Sequence, residues 1–388
     1  MALKRQRLAH RRKAVGHTQE SLAEKLGVDR TTVVRWERAE SEPQPWVRPR
    51  LADALGVSPD ELSALLANVD AARTRRSDRL SAVLKNPRIA DLAAVAQLRQ
   101  ELARLIDSYD ARPSITILPD AGRLHSEVDL LRSHAAGEAV RRALRDVEAA
   151  ASIFMGQLVW DASQRRNAQA ALTYYDQAAH AAKQNKNPET EAQARLRRSF
   201  IALYSDNDPK SGLAQAAQAA QLASRSGNHT LSAMALLHVG EANAMMGDRL
   251  VCEQALSQAE SHLGRIDGDD GPAALASAGQ LNRLAGSCYL LLGEPRRAQS
   301  LLEDVPSCTQ ERRKSHAIIL GNLALAHLRQ RNLDDATETL HQVIDAVEET
   351  RGGGAVNVLF AAGRELRPWR DRQDVQEIMD RTLALMSS

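Results

Sequence analysis

Small residues recur along the last two thirds of the chain at Ala171, Gly212, Cys252, Ala298 and Ala336, with spacings of 41, 40, 46 and 38 residues. Four residues after each, one helical turn on, stands a further apolar residue: Tyr175, Ala216, Leu256, Leu302 and Leu340. A period near 40 residues fits one helix pair per repeat. Such a pair cannot bury its apolar face alone, so successive pairs must stack. The turns between the helical patterns carry Gly, Asn, Asp or Pro, and no period-two alternation persists. Sandwiches and barrels are therefore excluded in favour of an all-α fold. Composition agrees: 43% of the residues are hydrophobic but only 3% aromatic, so the apolar mass is mainly Ala, Leu and Val, which lets helices approach closely.

The offsets within the repeats are specific. Gly286, Tyr289, Gly293, Ala298 and Leu302 form the clearest copy, and Gly240, Gly247, Cys252, Leu256 and Ala259 a second. Ala324, His327, Ala336, Leu340 and Val343 form a third. This pattern resembles the tetratricopeptide repeat, in divergent form. The resemblance implies an α-solenoid over residues 122–388, with the first helix of each pair lining a concave groove. Projecting that register places Gln157 and Trp160, Arg197 and Tyr204, and Met234, His238 and Glu241 in the groove. Arg283 and Ser287, then Asn322 and Arg329, follow. Arg and Asn there suit a ligand carboxylate or a peptide backbone, with Trp160 and Tyr204 as apolar walls. The alternative is ordinary solenoid surface with the aromatics partly in the core.

At 388 residues the chain exceeds one domain, and its formal charge of +2 conceals a division. Residues 1–88 carry +7 and residues 89–388 carry −5. A basic head on an acidic body points to an anionic partner for the head, with nucleic acid the leading candidate. Residues 1–66 read as five short helices, Leu3–Ala14, Thr18–Leu26, Arg30–Ala39, Val47–Leu55 and Pro59–Leu66. They are separated at Gly16, Gly27, Pro43/Pro45 and Gly56. Residues 67–121 then form a basic linker and a connecting helix, Asp91–Tyr109, which packs on the body or pairs between subunits, with a break between Pro113 and Pro119.

From Thr18 to Glu37 the run TQESLAEKLGVDRTTVVRWE has a small residue, Ala23, at a helix crossing and a turn glycine, Gly27. Leu22, Leu26, Val28, Val33 and Trp36 supply apolar faces, and Asp29 is placed to cap the next helix. This run resembles the helix-turn-helix of Cro/XRE regulators. With those positions buried, Arg30, Thr31, Thr32, Val34 and Arg35 face a major groove. Arginine suits bidentate contact with guanine, and Thr or Val suits a thymine methyl. The resemblance places Gln19 near a phosphate or flanking base, and Arg11, Arg12 and Arg48 are expected at the DNA backbone.

Over nearly its whole length the chain resembles helix-turn-helix plus tetratricopeptide regulators of Gram-positive bacteria, more narrowly those of actinobacteria, on segments such as MGQLVWDASQRR, LAGSCYLLLG and TRGGGAVNVLFAAGRELRPWR. Some such regulators sense short signalling peptides. The resemblance implies a transcription regulator that binds double-stranded operator DNA as a homodimer and responds to a peptide, small-molecule or protein effector. The alternative is an interaction scaffold that its head merely localises.

No enzyme is expected: the eleven His include no HExxH, no GxSxG elbow exists, and Arg351-Gly352-Gly353-Gly354 lacks the GK[ST] of a phosphate loop. That glycine run reads as the stop of a helix ending at Thr350, with glycine taking the left-handed conformation. Neither a metal site nor a cofactor is expected. Cys252, Cys288 and Cys308 form no CxxC pair and fit a reduced, cytoplasmic protein, and no stretch is apolar enough to span a membrane.

Overall fold

The computed structural model describes residues 6–38, 41, 43–44, 47–66, 79–266, 278–305 and 313–387, and among them there is no β-strand. The chain folds as two units, Met1–Asn86 and Pro87–Ser388.

The first unit contains α1 (Gln6–Ala14), α2 (Gln19–Leu26), α3 (Arg30–Glu37), α4 (Arg48–Leu55) and α5 (Pro59–Leu66). Their boundaries follow local chemistry. Thr18 and Ser21 cap one another reciprocally at the start of α2, and Gly27 ends it with φ +69°, a left-handed conformation that costs glycine nothing. Asp29 then caps α3 by accepting the Thr31 N–H at 2.8 Å. Leu8, Leu22, Ala23, Leu26, Val33, Trp36, Leu51 and Leu55 form one buried cluster, with Val28 only half-buried against it. Burial of each large side chain contributes roughly 1.5–3 kcal/mol. Most of the expected linker, residues 67–78, lies outside the described residues, as does Cys308.

The second unit begins with α6 (Leu92–Asp107), α7 (Ser114–His134) and α8 (Glu138–Ala162). The connecting helix α6 packs on α7 and α8, so it belongs to the body. The expected break between Pro113 and Pro119 lies earlier, between Asp107 and Ser114, and ends at Pro113. Pro119 sits inside α7, in its second turn, where only one intrahelical bond is forfeited.

Helix pairs then follow in succession. The helices are α9 (Ala168–Gln184), α10 (Pro188–Tyr204), α11 (Pro209–Ser226), α12 (His229–Met245) and α13 (Arg249–Leu263). After them come α14 (Ala278–Leu291), α15 (Pro295–Glu303), α16 (Arg313–Arg329), α17 (Leu333–Thr350), α18 (Gly353–Glu365) and α19 (Gln373–Ser387). Each packs against its neighbour in sequence, as a tetratricopeptide-like solenoid requires. The recurring small residues sit where the helices meet: Ala171, Cys252, Ala298 and Ala336 are fully buried. Close approach explains the glycines opposite them. A Cβ at Gly156 would stand 2.6 Å from the Tyr175 ring, and one at Gly286 2.7 Å from Leu302.

The glycine run after α17 works differently from the sequence expectation. The left-handed residue is Arg351, with φ +51°, while Gly352 precedes α18 and Gly353 and Gly354 form its first turn. Lack of bulk matters there: a Cβ on Gly354 would stand 2.5 Å from Arg165, and one on Gly353 would press on Asp161 at 3.2 Å.

That approach joins distant repeats. The Asp161 carboxylate, at the end of α8, accepts the Gly353 N–H at 2.7 Å and the Ser114 hydroxyl at 2.6 Å. Lys314 Nζ lies 2.9 Å from both Asp161 and Ser114 and 3.9 Å above the Tyr109 ring. Both charged side chains are buried. One buried ion pair thus ties α7 and α8 to α16 and α18.

Candidate nucleic-acid interface and effector groove

In the first unit the outward face of α3 is sharply separated from its inward one. Val33 and Trp36 are buried, whereas Arg30, Thr31 and Arg35 are exposed and Thr32 and Val34 half-exposed. Arg30 pairs with Glu20 at 2.5 Å, both side chains about 60% exposed. Hydrogen bonds from the Thr31 hydroxyl and N–H hold the Asp29 carboxyl below its usual range. The Thr31 hydroxyl is thereby committed to the cap, which leaves the methyl as the group it can offer a base.

The residues expected at the DNA backbone divide. Arg48 is exposed, with its Nε 3.2 Å from the Pro43 carbonyl. Arg11 is committed to the end of α4, donating to the Leu55 carbonyl at 2.9 Å and the Gly56 carbonyl at 2.6 Å. Arg12 is 5% exposed. Its guanidinium donates to Glu37 at 2.7 Å and to the His17 carbonyl at 2.6 Å, so it has no face to offer a phosphate. Gln19 is drawn into the same network, its amide 2.6 Å from Glu37. These side chains brace the helix-turn-helix from within.

In the second unit, a polar cluster forms where α10, α12 and α14 meet. Glu241 accepts the Tyr204 hydroxyl, faces His238 Nδ1 at 3.0 Å and accepts the Ser287 hydroxyl at 3.2 Å. Burial pushes the Glu241 carboxyl up, but hydrogen bonds from His238 and Tyr204 outweigh it and leave it below the usual range. The Tyr204 phenol is raised by burial and by the Glu241 charge. Phe200 stacks on His238 with ring centroids 4.3 Å apart. Gln157 is half-buried, and Arg283 donates to Gln280 at 3.0 Å.

Other expected groove residues are placed differently. Trp160 is buried, its indole N–H donating to Ser205 at 2.9 Å, with Arg165 stacked over the ring at 4.5 Å. Asn322 is also buried. Arg329 forks onto Glu365 at 2.8 and 3.1 Å and onto the Leu290 carbonyl at 2.6 Å, a tie between neighbouring repeats. Sequence reasoning missed Arg165, Lys314 and Asp161. Arg165 belongs to a turn, with φ +63°, and the helical register did not reach it.

The buried histidines make stability pH-dependent. Burial holds His238 below its ordinary value of 6.5, against the pull of Glu241, and burial lowers His125, His262 and His316 as well. The unfolded chain therefore binds more protons than the folded one just below pH 6.5, and stability falls on acidification. Each such proton contributes a slope of up to about 1.4 kcal/mol per pH unit. Thermal unfolding should show a falling Tm as the pH drops below about 6.5, with a shallower fall in His238→Gln. A His238→Gln slope equal to that of the parent would contradict the assignment of His238 as neutral.

Residues 8–62 match the family described as Helix-turn-helix. No curated protein matches the chain. Among solved structures, the chain is similar to the apo form of the quorum sensor NprR from B. thuringiensis, at 12% identity and a TM-score of 0.43, with 84% of this chain and 97% of that chain covered. With its glycine turn, capped α3 and buried Trp36 in place, the segment from residue 8 to residue 62 is a helix-turn-helix domain.

Proposed function

We propose that this protein is a DNA-binding transcription regulator whose first unit sets α3 into the major groove of an operator half-site, and whose second unit dimerises and senses an effector. The observation that carries the proposal is the exposed row Arg30, Thr31 and Arg35 on a helix whose opposite face is locked into a helix-turn-helix core. Arginine reads guanine with two parallel hydrogen bonds, and Thr32 and Val34 can meet thymine methyls. Glu20 holds Arg30 meanwhile, but an exposed pair is worth only about 0–1 kcal/mol, so a guanine edge can displace it. Arg48 supplies a phosphate contact. One helix reads one half-site, and two copies about one DNA turn apart give useful specificity. An effector that favours one arrangement of the second unit would shift the population competent for that spacing.

Fluorescence polarisation with duplexes from upstream of the protein's own gene tests this. Each bidentate contact contributes roughly 1–3 kcal/mol, so Arg30→Ala with Arg35→Ala should weaken binding about 30-fold or more. Affinity should also fall steeply with salt. Salt-independent binding, or unchanged affinity in the double variant, would sink the proposal.

A further inference from the structure

Most arginines of the second unit that lie between helices are matched by a carboxylate: Arg195 with Glu191, Arg198 with Asp176, Arg329 with Glu365, Arg381 with Asp345. Arg165, Arg197 and Arg283 are not. All three are half-buried, and among the described residues none has a carboxylate within 4 Å. Arg165 and Arg197 make no side-chain hydrogen bond there either. They lie instead against aromatic rings, Arg165 4.5 Å from Trp160 and 5.3 Å from Tyr204, and Arg197 5.3 Å from Phe200. Phe200 and Tyr204 are themselves 6.0 Å apart, which brings the two guanidiniums to one aromatic platform. Arg283 is close enough to Tyr204 and Arg165 to act on both electrostatically.

A guanidinium lying along a ring has its position fixed, an arrangement that favours capture of an oxyanion, and the Nη2 end of Arg165 is held further by packing on Gly354. Among the described residues, none of the nearby acids forms an ion pair with the three. Glu241 is occupied by Tyr204, His238 and Ser287, and Asp161 by Lys314, Ser114 and Gly353. With Asp161 balanced by Lys314, Glu241 and Asp110 are the acids in the field of Arg283, two against three arginines. At the same cluster His238, 3% exposed, has its Nε2 without a hydrogen-bond partner among the described residues. With Nδ1–H given to Glu241, that Nε2 is an acceptor awaiting a donor.

We propose that Arg165, Arg197 and Arg283 form a binding site for a small molecule bearing phosphate or carboxylate groups, walled by Trp160, Phe200 and Tyr204, with His238 Nε2 accepting from a ligand hydroxyl. The proposal rests on reading the second unit as the sensor and names the chemistry it senses. A bound oxyanion relieves the repulsion between cations gathered in a partly dry site, so it stabilises the folded chain in proportion to its occupancy.

Thermal unfolding and calorimetric titration of the full-length chain with inorganic pyrophosphate, and separately with citrate, test it against sodium chloride of matched ionic strength. A rise in Tm and saturable binding with pyrophosphate alone mark a phosphate ligand, and with citrate alone a polycarboxylate. Arg165→Gln/Arg197→Gln/Arg283→Gln should abolish both signals. Arg197→Gln alone, whose folding is checked by circular dichroism, should weaken the binding at least tenfold. No response to either anion beyond the chloride control, or an equal response in the triple variant, overturns the proposal. Operator binding measured on the same preparations separates the two readings. Intact DNA binding without an anion response removes the oxyanion site and leaves the regulator, whereas an anion response without DNA binding does the reverse.

Discussion

Replacing Lys314 with methionine should destabilise the second unit by about 3–5 kcal/mol, the range for removing one partner of a buried ion pair. The side chain it removes is 6% exposed and donates to Asp161, itself 7% exposed. Methionine fills similar volume, so the loss comes from stranding the Asp161 carboxylate rather than from a cavity. Ser114 and Gly353 continue to donate to that carboxylate, but neither carries a countercharge. At roughly 2–4 °C per kcal/mol for a unit of this size, Tm should fall by about 6–20 °C. Asp161→Asn combined with Lys314→Met leaves no buried net charge and should recover most of the loss. A fall below about 1 kcal/mol for Lys314→Met, the value of an exposed pair, would show that the tie between α8 and α16 does not persist in solution.

This pair also marks where sequence reading stops. The repeats were legible because their determinants are local: a small residue, a large one a turn later, and a turn residue between helices. Trp36, Gly27 and the Asp29 cap were legible for the same reason, each being fixed by neighbours within a few residues. Asp161 and Lys314 are separated by 153 positions, and no periodicity relates them. Their meeting depends on how rotation accumulates over the intervening helix pairs. Arg165 shows a second limit. It lies in a turn, so a groove projected from helical register alone omits it, while the same projection includes Arg329, which its own neighbour Glu365 has already claimed.

The glycines after Arg351 illustrate a third limit. A run of three glycines following a helix is read as a stop, and a stop does occur there. The residue that turns left-handed is Arg351, and the glycines are there for their lack of bulk, against Lys314 at Gly352, Asp161 at Gly353 and Arg165 at Gly354. Conformational freedom and lack of bulk leave the same letters in the sequence.

Arg12→Ala should abolish operator binding although Arg12 is turned away from the exposed side of α3. Its guanidinium donates to Glu37 at 2.7 Å and to the His17 carbonyl at 2.6 Å, and Gln19 reaches the same carboxylate at 2.6 Å. The network therefore ties α1, the turn before α2, α2 itself and the end of α3. Both charged side chains are under 10% exposed, and losing one strands the other at a cost of about 3–5 kcal/mol. A domain this small has roughly that much stability to lose, so the head of the variant should be largely unfolded at about 37 °C. Arg12→Met with Glu37→Met replaces the pair by apolar side chains and should restore both folding and DNA affinity, since Arg30 and Arg35 are untouched. A phosphate contact at Arg12 predicts the opposite pattern: a folded Arg12→Ala head, a salt dependence weaker by about one ion, and no rescue by the second substitution. Circular dichroism and polarisation across a salt series on the two variants distinguish these outcomes, because a brace fails by melting α3 away from its neighbours and a contact fails with α3 still in place.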